Sequence, residues 1–329
     1  MYQPEMYGIA LSFMILSMLC WGSWANMLKL CPGFRFQLFY WDYAIGLLVG
    51  AVVWGATLGS NGATGRAFVA DLSQAGAHSI LLAMIGGVIF NVANLLLVAA
   101  IDIAGLAVAF PVGIGLALVV GAVSSYLIAP QGNPILLFGG IALVLVAIVF
   151  DALAYRLREA SRPAMSKRGI IISLIAGVLM GCFYPFVSRS MVGDHSAGPY
   201  AAVLFFVLGV VVCAVPVNYL LMRMPLDGRE PASMMEYWRA PASWHLWGVL
   251  GGGIWCTGAV ANFVASQAHI VGPAVSYSIG QGATMISACW GVFVWHEFAH
   301  APSRSKAFVT WMFVLFLCGL SAVAIAPLF

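Results

Sequence analysis

Hydrophobic side chains fill long uninterrupted stretches of the chain, and polar residues gather in short segments between them. A helix needs about 20 largely apolar residues to cross the roughly 30 Å hydrocarbon core of a bilayer. Ten stretches have this length, at about 7–29, 39–59, 79–101, 103–128, 134–155, 168–190, 199–222, 244–268, 270–297 and 306–327. None of them alternates apolar and polar residues as a half-buried strand would. The pattern therefore predicts an all-α membrane protein with ten transmembrane helices.

The composition supports this prediction and excludes several classes of protein. Of the 329 residues, 63% are hydrophobic and 8% are charged, whereas a soluble domain carries about 25% charged residues. So few charges cannot solvate the surface of a soluble enzyme, so the bilayer itself is an expected partner. A net charge of +3 offers no phosphate-neutralising face, which excludes nucleic acid as a partner. We also expect no cofactor and no resident metal.

Positive charges are distributed unequally between the two sides of the predicted bundle. Twelve Lys and Arg residues fall between spans 1 and 2, 5 and 6, 7 and 8, or 9 and 10, whereas only Arg66 and Arg189 fall on the other side. Cytoplasmic loops collect Lys and Arg. The sequence therefore predicts a multi-pass protein of the plasma (inner) membrane with both of its ends outside.

An internal repeat appears when the chain is aligned with itself at an offset of 167. Gly105, Ala107, Val108, Gly113 and Gly115 recur as Gly272, Ala274, Val275, Gly280 and Gly282. We therefore expect two five-helix units, residues 1–160 and 161–329, joined by the basic segment 156–168. Since five is an odd number of crossings, the second unit must be inverted, which is the architecture of many secondary transporters.

Several motifs resemble those of a known family. They are Trp21-Gly22-Ser23, Tyr40-Trp41-Asp42-Tyr43, Thr57-Leu58-Gly59, the stretch from Gly86-Gly87-Val88 to Gly105-Leu106-Ala107-Val108, and Trp295-His296-Glu297. Together they resemble the drug/metabolite transporter superfamily, in its branch of ureide permeases and glucose/ribose porters. The resemblance implies an inverted 5+5 repeat, alternating access and proton-driven uptake of a small neutral polar solute such as a sugar, ureide or nucleobase. Export of drugs or metabolites by the same fold is the alternative.

Polar and aromatic side chains at depth are the candidates for binding such a solute. Buried polar groups are costly in lipid and tend to face the bundle interior. For each amide, contact with solute and an interhelical hydrogen bond are both open. The predicted substrate-binding residues are Trp21, Trp24, Asn26, Asn91, Asn94, Tyr184, Trp255, Asn262, Tyr277 and Gln281.

One carboxylate is a candidate for coupling transport to protons. Asp42 lies about one turn inside span 2, between Trp41 and Tyr43. Partial loss of hydration favours the protonated form of a carboxyl group, so Asp42 could carry one proton per cycle. The alternative is a structural acid at the membrane interface that is hydrogen-bonded to Tyr or Trp.

A zinc-protease motif is the alternative from another class of function. His296-Glu297-Phe298-Ala299-His300 has the H-E-x-x-H pattern, whose two histidines bind zinc from one helix face while the Glu acts as a base. The motif falls at the end of span 9, where Pro302 closes the helix, and it explains neither the repeat nor the ten spans. We therefore predict a transporter rather than an enzyme.

Overall fold

Long helices make up most of the protein. The structure, a computed structural model, describes residues 1–158 and 167–329. The helices in chain order are α1 (Tyr7–Ser23), α2 (Asn26–Lys29), α3 (Phe36–Ala56), α4 (Phe68–Gln74), α5 (Ala77–Ala104), α6 (Leu106–Ile128), α7 (Pro134–Arg158), α8 (Lys167–Ser190), α9 (Pro199–Arg223), α10 (Met234–Arg239), α11 (Ala242–Ser266), α12 (Gly272–Gly280), α13 (Ala283–Cys289) and α14 (Ser303–Ile325). No strand occurs in these two ranges. The predicted boundary at 160/161, with most of the joining segment, lies outside the described residues.

Nine stretches of helix within the described ranges are long and apolar enough to cross a membrane. They correspond to the predicted spans 1–8 and 10, with most ends within about three residues of those expected. α1 and α2 together form the first. The chain is therefore an all-α, multi-pass membrane protein.

The ninth predicted span, at 270–297, is not a continuous helix. It is divided into α12 and α13 by a turn at Gln281 and Gly282, and a single π-helical turn, Trp290–Val294, follows α13. At the turn, the Gly282 N–H donates to the Ile279 carbonyl, three residues back, instead of the carbonyl four residues back. Helical structure ends at Val294, so the prediction of one helix to residue 297 is wrong.

The two faces of the bundle differ in charge. We call the face where α5 and α7 end and α8 begins the basic face, because eleven of the thirteen described Lys and Arg residues lie at helix ends or loops there. The opposite face, which we call the terminal face, holds both chain ends. The amino group of Met1 donates to the Thr64 carbonyl at 2.8 Å, and the Tyr7 hydroxyl bonds to the Ala324 carbonyl near the other end. The two ends therefore lie on one side of the bundle.

Glycines allow the closest helix contacts. A Cβ on Gly46 of α3 would lie 2.0 Å from the Val249 carbonyl oxygen of α11, and one on Gly252 of α11 would lie 2.0 Å from the Tyr43 carbonyl oxygen. The pair α5 and α9 meets in the same way. A Cβ on Gly87 would lie 1.9 Å from the Phe206 carbonyl oxygen. These backbones touch directly, as small residues permit in membrane helix pairs.

Candidate functional site

A cavity of about 250 Å³ lies inside the bundle. One wall comes from α1, α2 and α13, and the opposite wall comes from α5, α6 and α8. Leu28, Phe36 and Ile101 lie at its rim, close to the helix ends on the basic face. Trp255 of α11 lies at the inner end, near mid-depth. The cavity therefore extends from the middle of the bundle towards the basic face.

Aromatic rings form the inner end of this cavity. Trp21 and Trp255 stack with their ring centroids 5.6 Å apart and their planes at 23°. Phe90 packs on the other side of Trp255, at a centroid distance of 4.4 Å. Aromatic faces of this kind offer large apolar surfaces in a fixed orientation, so a flat or ring-shaped molecule could be held against them.

Two residues of the cavity wall carry a buried hydrogen-bond donor. The indole Nε1 of Trp21 and the amide Nδ2 of Asn94 are both buried without an acceptor among the described residues. Buried polar groups in proteins are almost always hydrogen-bonded. Gln281, at the turn between α12 and α13, and Thr284 and Ser287 of α13 add further polar groups to the wall. The cavity wall therefore combines polar side chains with aromatic rings.

The cavity is closed towards the terminal face by a hydrogen-bonded network around Asn262. The Tyr184 hydroxyl donates to Asn262 Oδ1 at 2.6 Å, and Asn262 Nδ2 donates to Ser17 Oγ at 3.2 Å and to the Ser276 carbonyl at 2.9 Å. Asn262 follows Trp255 by seven residues, which is about 10 Å along a helix. The network thus joins α1, α8, α11 and α12 on the terminal side of the aromatic rings.

Three contacts in the half of the bundle next to the basic face hold the first and ninth predicted spans together. Trp290 Nε1 donates to Ser23 Oγ at 2.9 Å, and Trp295 Nε1 donates to Asn26 Oδ1 at 2.7 Å. One turn further on, Lys29 Nζ lies 2.6 Å from Glu297 Oε1. These two segments consequently form one wall of the cavity.

The predicted substrate-binding residues separate into two groups. Those that line the cavity are Trp21, Trp24, Asn94, Trp255 and Gln281. Those that the structure does not bring to the cavity are Asn26, Asn91, Tyr184, Asn262 and Tyr277. Each of the latter forms at least one hydrogen bond; for example, Asn91 Oδ1 accepts a bond from the Tyr40 hydroxyl, although its Nδ2 has no partner among the described residues, and the Tyr277 hydroxyl donates to the Ala117 carbonyl.

The prediction of binding residues missed other parts of the lining. Phe183 and Met180 of α8 face the rings, and Thr284 and Ser287 of α13 are three residues apart. A helical spacing of three or four residues places two side chains on one face. Once Gln281 is a candidate, this spacing could have pointed to Thr284 and then to Ser287.

Asp42 does not line the cavity. It is 3% exposed and lies in the basic half of α3. The Tyr237 hydroxyl donates to Asp42 Oδ1 at 2.7 Å, and His245 Nδ1 lies 2.8 Å from Oδ2. The acid is therefore held by α10 and α11.

The geometry of the H-E-x-x-H motif does not suit zinc catalysis. His296 has a left-handed backbone, with φ of 50°, and residues 297–300 form turns, so the two histidines do not share a helix face. Glu297 is bound instead by Lys29, by Arg158 at 2.9 Å and by the Tyr155 hydroxyl at 3.0 Å. Burial raises the pKa of Glu297, but these hydrogen bonds and the charge of Lys29 outweigh it, so its pKa lies below the ordinary value. Glu297 is thus a structural ion-pair partner.

Comparisons with known proteins agree with this architecture. The family model of the sugar transport proteins matches residues 52–326. The chain belongs to this family. Ureide permease 1 of Arabidopsis thaliana is 22% identical over 98% of this chain and 98% of its own length, and ureide permease 2 of the same plant is 24% identical over 99% and 98%.

A solved crystal structure shares the fold, with a TM-score of 0.66, 15% identity and 95% of each chain covered. The relatives are named as permeases and transport proteins. The resemblance to the ureide permease and sugar transporter branch is therefore confirmed. The protein is a transporter of small polar metabolites and not an enzyme.

Proposed function

We propose that this protein is a proton-coupled secondary transporter that takes up a small neutral polar metabolite by alternating access. The observation that carries the proposal is a cavity whose wall combines the stacked rings of Trp21 and Trp255 with polar side chains, which are those of Asn94, Gln281, Thr284 and Ser287. A solute with carbonyl or hydroxyl oxygens on a ring would suit such a wall. Sugars, ureides and nucleobases all have this chemistry, and the names of the family and of the relatives point to the first two.

The proposal includes ten crossings, and the position of the two ends supports this number. Nine crossings would place the ends on opposite sides of the membrane, yet both ends lie on the terminal face. In this proposal, the interrupted segment α12–α13 would supply the tenth crossing. Interrupted helices are common where transporters bind their solutes, and Gln281 at the interruption lines the cavity.

An inverted repeat accounts for the way the helices pair. If the five spans of one unit are matched in order with those of the other, α3 corresponds to α9 and α11 corresponds to α5. The contact of α3 with α11 then corresponds to the contact of α9 with α5, and both of these contacts exist. Both depend on a glycine that touches a backbone carbonyl, Gly252 in one and Gly87 in the other. The loop helices α4 and α10 also exchange, and they pack on α9 and α3 respectively. Alternating access in such a repeat would be a rocking of one unit against the other.

The direction and the energy source are part of the same proposal. The excess of Lys and Arg on the basic face favours a cytoplasmic position for it, so both ends would lie outside the plasma membrane. Asp42 remains the proposed proton carrier, although it lies outside the cavity. Replacing it by Asn should abolish accumulation driven by a pH gradient and leave passive exchange intact.

The test uses purified protein reconstituted into liposomes and a panel of glucose, allantoin and uracil. We expect one class of solute to raise the melting temperature, since a ligand stabilises the folded state by RT ln(1 + [L]/Kd), and to exchange across the membrane. Uptake of that solute should follow an inward proton gradient. Export driven by the opposite gradient would favour the drug/metabolite exporter. A protein that neither binds nor exchanges any of these solutes would contradict the proposal.

Asn94→Ala and Asn61→Ala form the matched pair of variants. Loss of the Asn94 donor leaves an acceptor of the bound solute unpaired, which costs about 1–3 kcal/mol and raises Kd about 5- to 150-fold. Asn61 lies exposed on the terminal face, so its variant should keep the wild-type Kd. Equal affinity of both variants would show that Asn94 does not contact the solute.

A further inference from the structure

A carboxylate and an imidazole meet where α3, α10 and α11 join on the basic face. Asp42 Oδ2 lies 2.8 Å from Nδ1 of His245, and the Tyr237 hydroxyl donates to the other carboxylate oxygen. The rings of Tyr237 and His245 are in edge contact, with their centroids 4.6 Å apart. Among the described residues, no Lys or Arg forms an ion pair with this carboxylate.

The pair joins the two halves of the chain. Asp42 belongs to the first predicted unit, whereas Tyr237 and His245 belong to the second. The fit is close: a Cβ on Gly248 of α11 would lie 2.4 Å from the Asp42 Cβ. The carboxylate is almost fully buried, but the His245 side chain is 27% exposed. A proton can therefore reach the imidazole from the basic face while the carboxylate stays out of water.

The strength of the contact between the two halves depends on whether His245 carries a proton. A buried charge is costly unless a partner compensates it. Histidine is the side chain that ordinarily changes its charge between pH 5 and 8. With His245 protonated, the pair is balanced. With His245 neutral, the carboxylate keeps only hydrogen bonds, and the contact between α3 and the two helices of the other half becomes weaker.

Four other titratable groups in the described part of the chain lie around the pair. Burial, together with the negative charge of Asp42, raises the pKa of the Cys31 thiol to about 11. Burial and the bond to Asp42 raise the pKa of the Tyr237 hydroxyl above its ordinary value. On α10, the Glu236 carboxylate accepts a bond from the N–H of Ser233, the residue just before the helix, and the described contacts of Arg239 do not include either member of the pair.

We infer that His245 and Asp42 together form a proton-binding site whose occupancy controls the contact between the two halves, with Tyr237 positioning the carboxylate. This inference rests on the proposed proton-coupled transport. It assigns the arrival of the proton to His245, a residue that sequence patterns did not single out. Proton loss would loosen α10 and α11 from α3. This contact between the two halves must change if the halves move against each other.

His245→Gln is the test, and His300→Gln is its matched control. His300 is an exposed histidine on the same face, and it has no side-chain hydrogen bond among the contacts of the described residues. The first readout needs no solute: the melting temperature of the purified protein is measured from pH 5 to pH 8. Because the charged pair forms at low pH, the wild type and His300→Gln should become less stable as the pH rises. His245→Gln should lose that part of the pH dependence.

The second readout is transport of whichever of glucose, allantoin and uracil the wild type exchanges. His245→Gln should lose accumulation driven by a proton gradient and keep solute exchange at equal pH. Tyr237→Phe should keep accumulation with a displaced pH profile, because the proton-binding groups remain. A loss in Tyr237→Phe as complete as in His245→Gln would contradict the positioning role.

The outcomes separate the two claims. If His245→Gln keeps the wild-type stability profile and proton-driven accumulation, the inference is overturned while the transport function stands. If the wild type exchanges none of the three solutes, the proposed function fails, and the stability profile still decides whether the pair binds a proton that controls the contact.

Discussion

Replacing Gly252 by alanine tests how closely α3 and α11 pack. The added Cβ would lie 2.0 Å from the Tyr43 carbonyl oxygen, 2.8 Å from the Leu47 nitrogen and 2.9 Å from the Gly46 Cα. All three atoms belong to the α3 backbone and cannot rotate away. The two helices must therefore move apart by more than an ångström, which opens the seam along its length.

The neighbouring residue provides the control. A Cβ on Gly253 would meet no atom within 4 Å. Both substitutions gain the same helix propensity, up to about 1 kcal/mol, so this gain cancels in the comparison. Overpacking typically costs about 1–3 kcal/mol, and we expect at least this difference in the free energy of unfolding.

Thermal unfolding of the purified variants in detergent measures the difference. Gly253→Ala should melt at or above the wild-type temperature, and Gly252→Ala should melt below it. If Gly252→Ala is as stable as Gly253→Ala, then α3 and α11 do not approach as closely as the contacts of Gly252 require, and the prediction is refuted.

Two further predictions concern other contacts. Asn262→Ala leaves the Tyr184 hydroxyl without its acceptor and should lower the free energy of unfolding by about 1–3 kcal/mol; Ser12→Ala, at an exposed hydroxyl of α1, should have almost no effect on the same melting curve. Because the pKa of Glu297 is lowered by Lys29 and its other partners, its contribution is present above the ordinary glutamate value of about 4.3 and is lost as the pH falls through the lowered value. Melting curves of Glu297→Gln should therefore be flatter than those of the wild type from about pH 5 downwards, and parallel curves would disprove the role of this ion pair.

Hydropathy predicted the transmembrane helices well because crossing a bilayer imposes length and composition on each segment. It failed at the ninth segment. Gly280, Gln281 and Gly282 lower the hydropathy very little, yet the helical hydrogen bonds are interrupted there. A hydropathy average measures how a segment partitions into lipid, not which amide donates to which carbonyl.

The sequence predicted how deep the candidate residues lie in the bundle, but not which way their side chains point. Asn94 and Asn262 both lie well inside their spans, yet only Asn94 reaches the cavity, because Asn262 finds Tyr184 on a neighbouring helix. That partner is 78 positions away in the chain. Asp42 likewise meets His245 across 203 positions. Such pairings depend on how the helices are rotated about their axes, which spacing along one helix does not determine.

The cavity opens towards only one face, so the orientation of each molecule in a membrane can be determined from what binds there. Reconstitution commonly inserts a carrier into vesicles in both directions. A bulky competitor that cannot permeate lipid and that binds only this conformation would then block from outside only those copies whose rim of Leu28, Phe36 and Ile101 points outwards. The fraction blocked would count how many copies are inserted each way, without a tag on either end of the chain.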